Sequence, residues 1–337
     1  MIVVDVPHCK YQIIVNCAND AMEKVLAVQY YPYIRLDIQK KDKINVYIRQ
    51  FNQNIEYQVE GHEAKSVDVN GENFLVVFRR VIHSFLVAEK KYLFLHASCV
   101  VKGDSAIFIM GESMAGKSTI TTYLLAKGYD YITDDFTIID VQNGEVVPFR
   151  KAIHIRAGTH QLLKDKGFAP PAIHIDVGCG IFKRDLIFPP ALTSDNRKFK
   201  ILAGIVLSAY KRNHNSNDDS AMVKLEDIER KRRFVAENFI SATNLLNDIN
   251  CTNTLIGKIP MFYLKNRDID YTCNNIASIF SMETAVEELD EKTKEIIGKI
   301  LANKKPGFFN LLVNGSSMYP KFPVNITRIS EKARLTL

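Results

Sequence analysis

From its start to about residue 75 the chain alternates apolar and polar residues over short runs: YQIIVNC, YIRLDIQ, INVYIRQ, IEYQVEG and SVDVNG. Period-two runs broken by Asn, Asp and Gly predict antiparallel strands joined by turns. The period changes over residues 73–89, where Phe74, Val77, Phe78, Val81, Phe85 and Leu86 would share one face of a helix. KYLFLHASCVVKG then reads as one strand, and AIFIMG after a Gly-Asp turn reads as a buried one. TITTYLLAKG predicts a helix, YDYIT a short strand and TIID another. KAIHIRAG is a further strand candidate, and QLLKDKGFAPPAIHIDVGCG is interrupted by Pro170, Pro171, Gly178 and Gly180. FKILAGIVLSAY is a buried strand, and KRNHNSNDDS after it is turn-rich. LEDIERKRRFVAENFISATNLLNDIN and METAVEELDEKTKEIIGKILANKK predict two late helices, the first with a basic cluster from Arg230 to Arg233.

The order strand, glycine-rich loop, helix places an α/β nucleotide site in the middle of the chain. Gly111-Glu112-Ser113-Met114-Ala115-Gly116-Lys117-Ser118 fits G-x-x-x-x-G-K-[ST] without a gap. The glycines let backbone N–H groups turn toward a phosphate, and the next helix aims its positive end at the same anion. Lys117 is expected to present its charge outward to the β and γ phosphates, and the Ser118 hydroxyl to ligate Mg²⁺. Asp134 and Asp135 follow the next short strand. Two adjacent carboxylates allow one to hold metal while the other accepts a proton from an attacking hydroxyl. His96 sits on the strand before the loop strand, where it is either a core histidine or a group that positions or transfers a proton.

Composition narrows the class. The 337 residues suit two domains or three, and 47% hydrophobic with 24% charged residues is the make-up of a globular protein. No apolar run approaches the roughly 18 residues of a membrane helix, and the N-terminus lacks a signal-peptide layout. The six cysteines form no CxxC pair and are read as reduced thiols, so a cytoplasmic location is expected. The net charge of +6 fits ordinary surface charge or an anionic ligand, and no nucleic-acid signature accompanies it. Neither a membrane nor a nucleic-acid partner is expected.

Taken together, a strand with His96, the G-x-S-x-x-G-K-S loop, a helix ending in glycine and an Asp-Asp pair resemble the HPr kinase/phosphorylase family. That family is distantly similar to phosphoenolpyruvate carboxykinase in its nucleotide-binding core. The match covers about residues 92–140, with a weaker echo to 160. It implies an α/β P-loop core, preceded here by a β-rich N-terminal region and followed by a helical tail. It implies that Gly111, Glu112, Ser113, Met114, Ala115, Gly116, Lys117, Ser118 and Thr119 hold the triphosphate of ATP or another nucleoside triphosphate. By the same resemblance Ser118 and Asp135 bind Mg²⁺, Asp134 is the base for a serine hydroxyl, and His96 assists near the transferred phosphate. The family's E-I-R-G-like segment is matched by His154-Ile155-Arg156-Ala157-Gly158, which keeps an arginine for transferred charge and replaces the glutamate by His154. The C-terminal signature of true HPr kinases is not visible, and the first 75 residues differ from their N-terminal domain. The chain is therefore more similar to the HPr-kinase-like enzymes that modify peptides, with the lasso-peptide tail serine kinases nearest.

The expected organisation is a β-rich domain over 1–88, a kinase domain over 89–265 and a helical extension over 266–337. The expected activity is Mg²⁺- and nucleotide-dependent phosphorylation of a serine in a peptide or small protein. A kinase for free serine or another small molecule, and a non-catalytic nucleotide sensor, are the other readings. The family's habit allows a homo-oligomer. A basic acceptor groove would draw on Arg156, Lys211, Arg212 and the Arg230–Arg233 cluster. Gly315-Ser316-Ser317-Met318-Tyr319-Pro320 resembles a signal-peptidase box, but only Lys332 follows at a distance that a Ser-Lys mechanism could use.

Overall fold

A computed structural model of the protein describes residues 1–6, 9–18, 20–38, 42–51, 54–68, 78, 81–82, 92–112, 114–168, 172–176, 183–187, 197–208, 222–226 and 259–287. The chain groups into Met1–Met282 and Glu283–Leu337. All described strands lie in the first group, and the fold is mixed α/β.

The first sheet holds β1 (Ile2–Val4), β2 (Gln12–Cys17), β3 (Ile34–Arg35), β4 (Lys43–Phe51), β5 (Asn54–Val59) and β6 (Lys65–Asp68), in the order β3-β1-β2-β4-β5-β6. The alternating runs do become strands, but not all antiparallel ones. A helix, α1 (Asp20–Gln29), connects β2 to the region of β4, and these two strands run parallel. A parallel pair needs a crossover, and α1 supplies it. Its signal is the spacing of Met22, Val25 and Leu26 behind Asp20 and Glu23, which the short alternating runs on either side obscure. Among its described residues, the run YIRLDIQ is strand only at Ile34–Arg35. Of the helix expected over 73–89, Phe78, Val81 and Ile82 are described, and all three are helical and buried. Its other face residues lie outside the described residues.

The second sheet contains β7 (Tyr92–Leu95), β8 (Ser98–Lys102), β9 (Ser105–Gly111), β10 (Asp130–Thr133), β11 (Thr137–Asp140), β12 (Glu145–Val147) and β16 (Phe199–Leu207), ordered β10-β8-β9-β16-β12-β11-β7. Here β17 (Met222–Lys224) pairs with β18 (Met261–Leu264), which pairs with β16. KYLFLHASCVVKG is two strands, not one. It bends at His96 and Ala97, and its halves occupy distant places in the strand order. Two linking residues reach only about 10 Å. The sheet must therefore curl until its β7 edge meets the start of β8.

Two apolar cores flank the strands β7, β11 and β12. Tyr92, Phe94, Ile138 and Val147 pack with the first sheet and α1, whereas Leu93, Leu95, Ile139 and Val146 pack with Cys99, Phe108, Met110 and Met261. Neighbouring residues in each strand thus face different cores. This is why these strands read as continuous apolar runs rather than alternating ones.

A third sheet, β13-β15-β14, comprises β13 (Ile153–Ile155), β14 (Ala172–Asp176) and β15 (Lys183–Ile187). Besides α1 the described helices are α2 (Lys117–Ala126), α3 (Ala157–Asp165) and α4 (Ile269–Glu287). The α3 helix occupies part of the segment read as broken, because Pro170 and Pro171 fall after its end. The last expected helix begins earlier than METAVEELD and takes in IDYTCNNIASIFS, whose amphipathic spacing was obscured by its Ser, Thr and Asn. Among the described residues, no helix is long and apolar enough to cross a membrane.

Candidate functional site

Strand register brings three separate sequence features to one sheet edge. Ser98 at the start of β8 pairs with Ile109 near the end of β9. Cys99 pairs with Thr133, the last residue of β10. His96, the loop after Gly111 and the Asp134-Asp135 turn therefore leave the sheet along the same edge. Thr137 closes the arrangement, since its hydroxyl donates to the Ala97 carbonyl at 2.9 Å.

The loop takes two left-handed turns, at Met114 (φ 71°) and Gly116 (φ 97°). Glycine suits such a conformation, whereas Met114 holds it with its side chain 69% exposed. A Cβ at Gly111 would stand 3.0 Å from the Leu207 carbonyl, so only glycine lets the loop leave against β16. Lys117 departs from the outward-facing lysine expected from sequence. It is 8% exposed, and its Nζ donates to the Gly111 carbonyl at 2.6 Å and the Glu112 carbonyl at 3.3 Å. The loop's own carbonyls cradle the ammonium. Ser118 and Thr119 open α2, and Thr119 Oγ1 meets Thr159 Oγ1 at 2.9 Å in the first turn of α3. The positive ends of two helices are thus adjacent. Ser113 lies outside the described residues.

The acidic pair is built around Lys151, which sequence reasoning missed. Its Nζ stands 2.9 Å from Asp134 Oδ1 and 2.9 Å from Asp135 Oδ1. Asp134 is buried, with the His154 N–H 3.4 Å from its Oδ2. The Tyr131 hydroxyl donates to the Lys151 carbonyl at 3.1 Å and lies 3.4 Å from Asp134 Oδ1. The Asp135 side chain is 22% exposed, against 3% for Asp134. Burial pushes the Asp134 carboxyl above its ordinary range, and Lys151 opposes that shift. Burial alone would depress the Lys151 ammonium, but the two carboxylates hold it above the ordinary lysine value. Tyr131 is pushed well up by burial first and by the two carboxylates next. A lysine flanked by Phe149, Ala152 and Ile153 just before a strand is the only sequence signal for this group.

His96 lies at the bend between β7 and β8, half-buried. His154 hydrogen-bonds through Nε2 to Gln29 Oε1 at the end of α1. Gln29 also exchanges bonds with Ala152: its Nε2 donates to the Ala152 carbonyl at 3.0 Å, and its own carbonyl accepts the Ala152 N–H at 2.9 Å. Arg156 is exposed at the N-cap of α3. The other basic candidates, Lys211, Arg212 and Arg230 to Arg233, lie outside the described residues, as does the 315–320 segment. A second unexpected participant is Asn266, between β18 and α4, whose amide nitrogen donates to the Ala115 carbonyl.

Ser118 and Asp135 supply oxygen donors, which suit Mg²⁺. Among the described residues no group of three or more His, Cys, Asp or Glu is placed to hold a metal.

No family model matches the chain, and no curated protein matches it. A solved structure of the Hpr(Ser) kinase/phosphatase from Coxiella burnetii is similar over 58% of this chain and 99% of its own, at 15% identity and a TM-score of 0.29.

Proposed function

We propose that the chain is a nucleotide- and Mg²⁺-dependent phosphotransferase that places the γ-phosphate of ATP, or another nucleoside triphosphate, on a serine hydroxyl of a peptide or small protein. The observation that carries this reading is the meeting of the Gly111–Ser118 loop and the Asp134-Asp135 turn at one sheet edge. In this reading residues 111–119 bind the triphosphate through loop N–H groups and the α2 N-terminus. Lys117 exchanges its loop carbonyls for phosphate oxygens. Ser118 and Asp135 hold Mg²⁺, which when bound neutralises charge on the phosphates. Asp134 takes the serine proton, helped by burial that raises its proton affinity. His96 and Arg156 steady charge near the transferred group. Residues 1–88 and 266–337 flank a kinase domain over 89–265.

One observation favours exchanged roles within the pair: Asp135 is the more exposed carboxylate, and Asp134 is already engaged by Lys151. A base must be reachable by the hydroxyl it deprotonates. The function is the same under either assignment.

Acceptor class is tested by mass spectrometry after incubation with ATP, Mg²⁺ and either a peptide ending in serine or free serine. Phosphate on the peptide alone is the expected result. Phosphate on free serine alone would replace the peptide acceptor with a small molecule, and no transfer to any hydroxyl would remove the kinase reading.

A further inference from the structure

Asn266 makes one bond to each of three elements around the loop. Its backbone N–H donates to Ser208 Oγ at 2.9 Å, one residue beyond the end of β16. Its Nδ2 donates to the Ala115 carbonyl at 2.5 Å, inside the loop. Its Oδ1 accepts from the Thr272 hydroxyl at 3.2 Å, in the first turn of α4. Asn266 is 5% exposed and Thr272 fully buried. The side-chain amide is thus held from both ends, with its donor aimed at the loop. Fit is close as well: a Cβ on Gly116 would lie 3.1 Å from Asn266 Nδ2.

This contact decides which way a loop peptide faces. The C=O and N–H of a trans peptide point in opposite directions. Tying the Ala115 carbonyl to Asn266 turns the Gly116 N–H away from Asn266, toward the inside of the loop. An anion-binding loop needs its N–H groups inward and its carbonyls outward. The left-handed backbone at Gly116 permits that orientation, and Asn266 selects it.

The same turn reaches two other walls of the site. Asp270, in the first turn of α4, accepts hydrogen bonds from the Tyr123 hydroxyl of α2 and the Lys166 ammonium after α3. The 266–272 turn therefore touches the loop, the helix after it and the end of the helix beside it.

We propose that Asn266 is the positioning residue of the phosphate loop, a latch that Thr272 orients and that holds the Gly116 amide toward a bound polyphosphate. The proposal rests on the phosphotransferase reading of this site. It assigns to the start of α4 control over phosphate affinity, although no residue of α4 lies in the glycine-lysine-serine motif.

The test is calorimetric titration of the full chain with two probes, MgATP and inorganic tripolyphosphate. It compares wild type, Asn266→Asp and Thr272→Val, with thermal melting of each protein. Asn266→Asp keeps the size and the Thr272 acceptor but puts an oxygen against the Ala115 carbonyl and a negative charge beside the loop. It should weaken both probes by about 10- to 100-fold. Thr272→Val preserves shape and removes the hydroxyl that orients the amide and that also meets the Asp268 carbonyl and the Arg267 N–H, so it should weaken both by about 3- to 10-fold and still fold. A purely structural role would lower the melting temperature and leave the affinity of folded molecules unchanged. Wild-type binding combined with unchanged tripolyphosphate affinity in Thr272→Val and Asn266→Asp overturns the latch alone. A wild-type chain that binds neither probe overturns the phosphotransferase reading, and the latch with it.

Discussion

The first sheet and the curled second sheet bury polar groups in different ways. Among the described residues up to Asp68, the buried polar side chains are Gln12 and Gln29. Around the second sheet and its helices they include Lys117, Thr133, Asp134, Thr137, Lys151, Asn266 and Thr272. Burying a charge is costly unless it is paired and hydrogen-bonded, so a scaffold avoids it. The first sheet behaves as a scaffold, with Val4, Ile13, Val15, Leu26, Val46, Ile48 and Ile55 in its core. Around the second sheet, buried Lys117, Asp134 and Lys151 gather where the loop and the acidic pair meet, while buried Asp140 pairs with Lys198 at the other end of β11. The two regions share an apolar core, and Gln29 adds a polar link, since it grips Ala152 and His154 next to Lys151. Helix α1, packed on the first sheet, braces the segment before β13 that carries the lysine.

The largest effect that would sharpen this contrast is catalytic. Asp134→Asn and Asp135→Asn should each slow transfer, and the variant that loses the base should lose about 10²–10⁴-fold in rate with nucleotide affinity kept. The metal-holding variant should lose affinity for Mg²⁺-nucleotide as well. Steady-state kinetics beside calorimetry assigns the roles. Equal losses of affinity in both variants would remove the division of labour.

A stability test follows. Lys151→Met keeps much of the side-chain volume but strands two carboxylates, one of them 3% exposed. Removing one partner of a buried ion pair costs about 3–5 kcal/mol. Urea unfolding should show a loss of that size, with less transfer activity per folded molecule. A loss below about 1 kcal/mol, the usual worth of an exposed pair, would mean that the triad is hydrated in solution.

Much of this arrangement was legible in the sequence. The loop, its strand and its helix could be placed because glycine, lysine and serine at fixed spacing are local signals. β16 could be placed because its nine residues, Phe199–Leu207, form a single mostly apolar run. What could not be read was non-local. Lys151 and Asn266 look like ordinary polar residues until strand pairing carries them to the site, and no local period records that pairing. The bend at His96 was hidden because apolar residues flank it on both sides, and curling of the sheet, not composition, splits the strand there. Helix α1 was missed because its ten residues lie among alternating runs of similar length.

The smallest effect on the site belongs to the scaffold. Leu26→Ala in α1 removes a fully buried side chain and should cost about 2–5 kcal/mol of stability. The rate per folded molecule should stay within about twofold, because Leu26 contributes packing to the core and no group to the site. Thermal melting with activity normalised to folded protein gives the answer. A tenfold fall in that normalised rate would show that α1 does more than brace the segment before β13.

The central claim is that the edge holding Gly111, Lys117, Asp134 and Asp135 transfers phosphate, and Lys117 tests it most directly. The decisive measurement is the rate of γ-phosphate transfer from MgATP to a peptide ending in serine, for wild type and Lys117→Ala side by side. Lys117 Nζ contacts the carbonyls of Gly111 and Glu112 and belongs to neither apolar core, so the variant should fold. The account predicts transfer by wild type and a fall of at least about 10²-fold in the variant, the scale for losing one transition-state contact. Equal rates in the two proteins would contradict it.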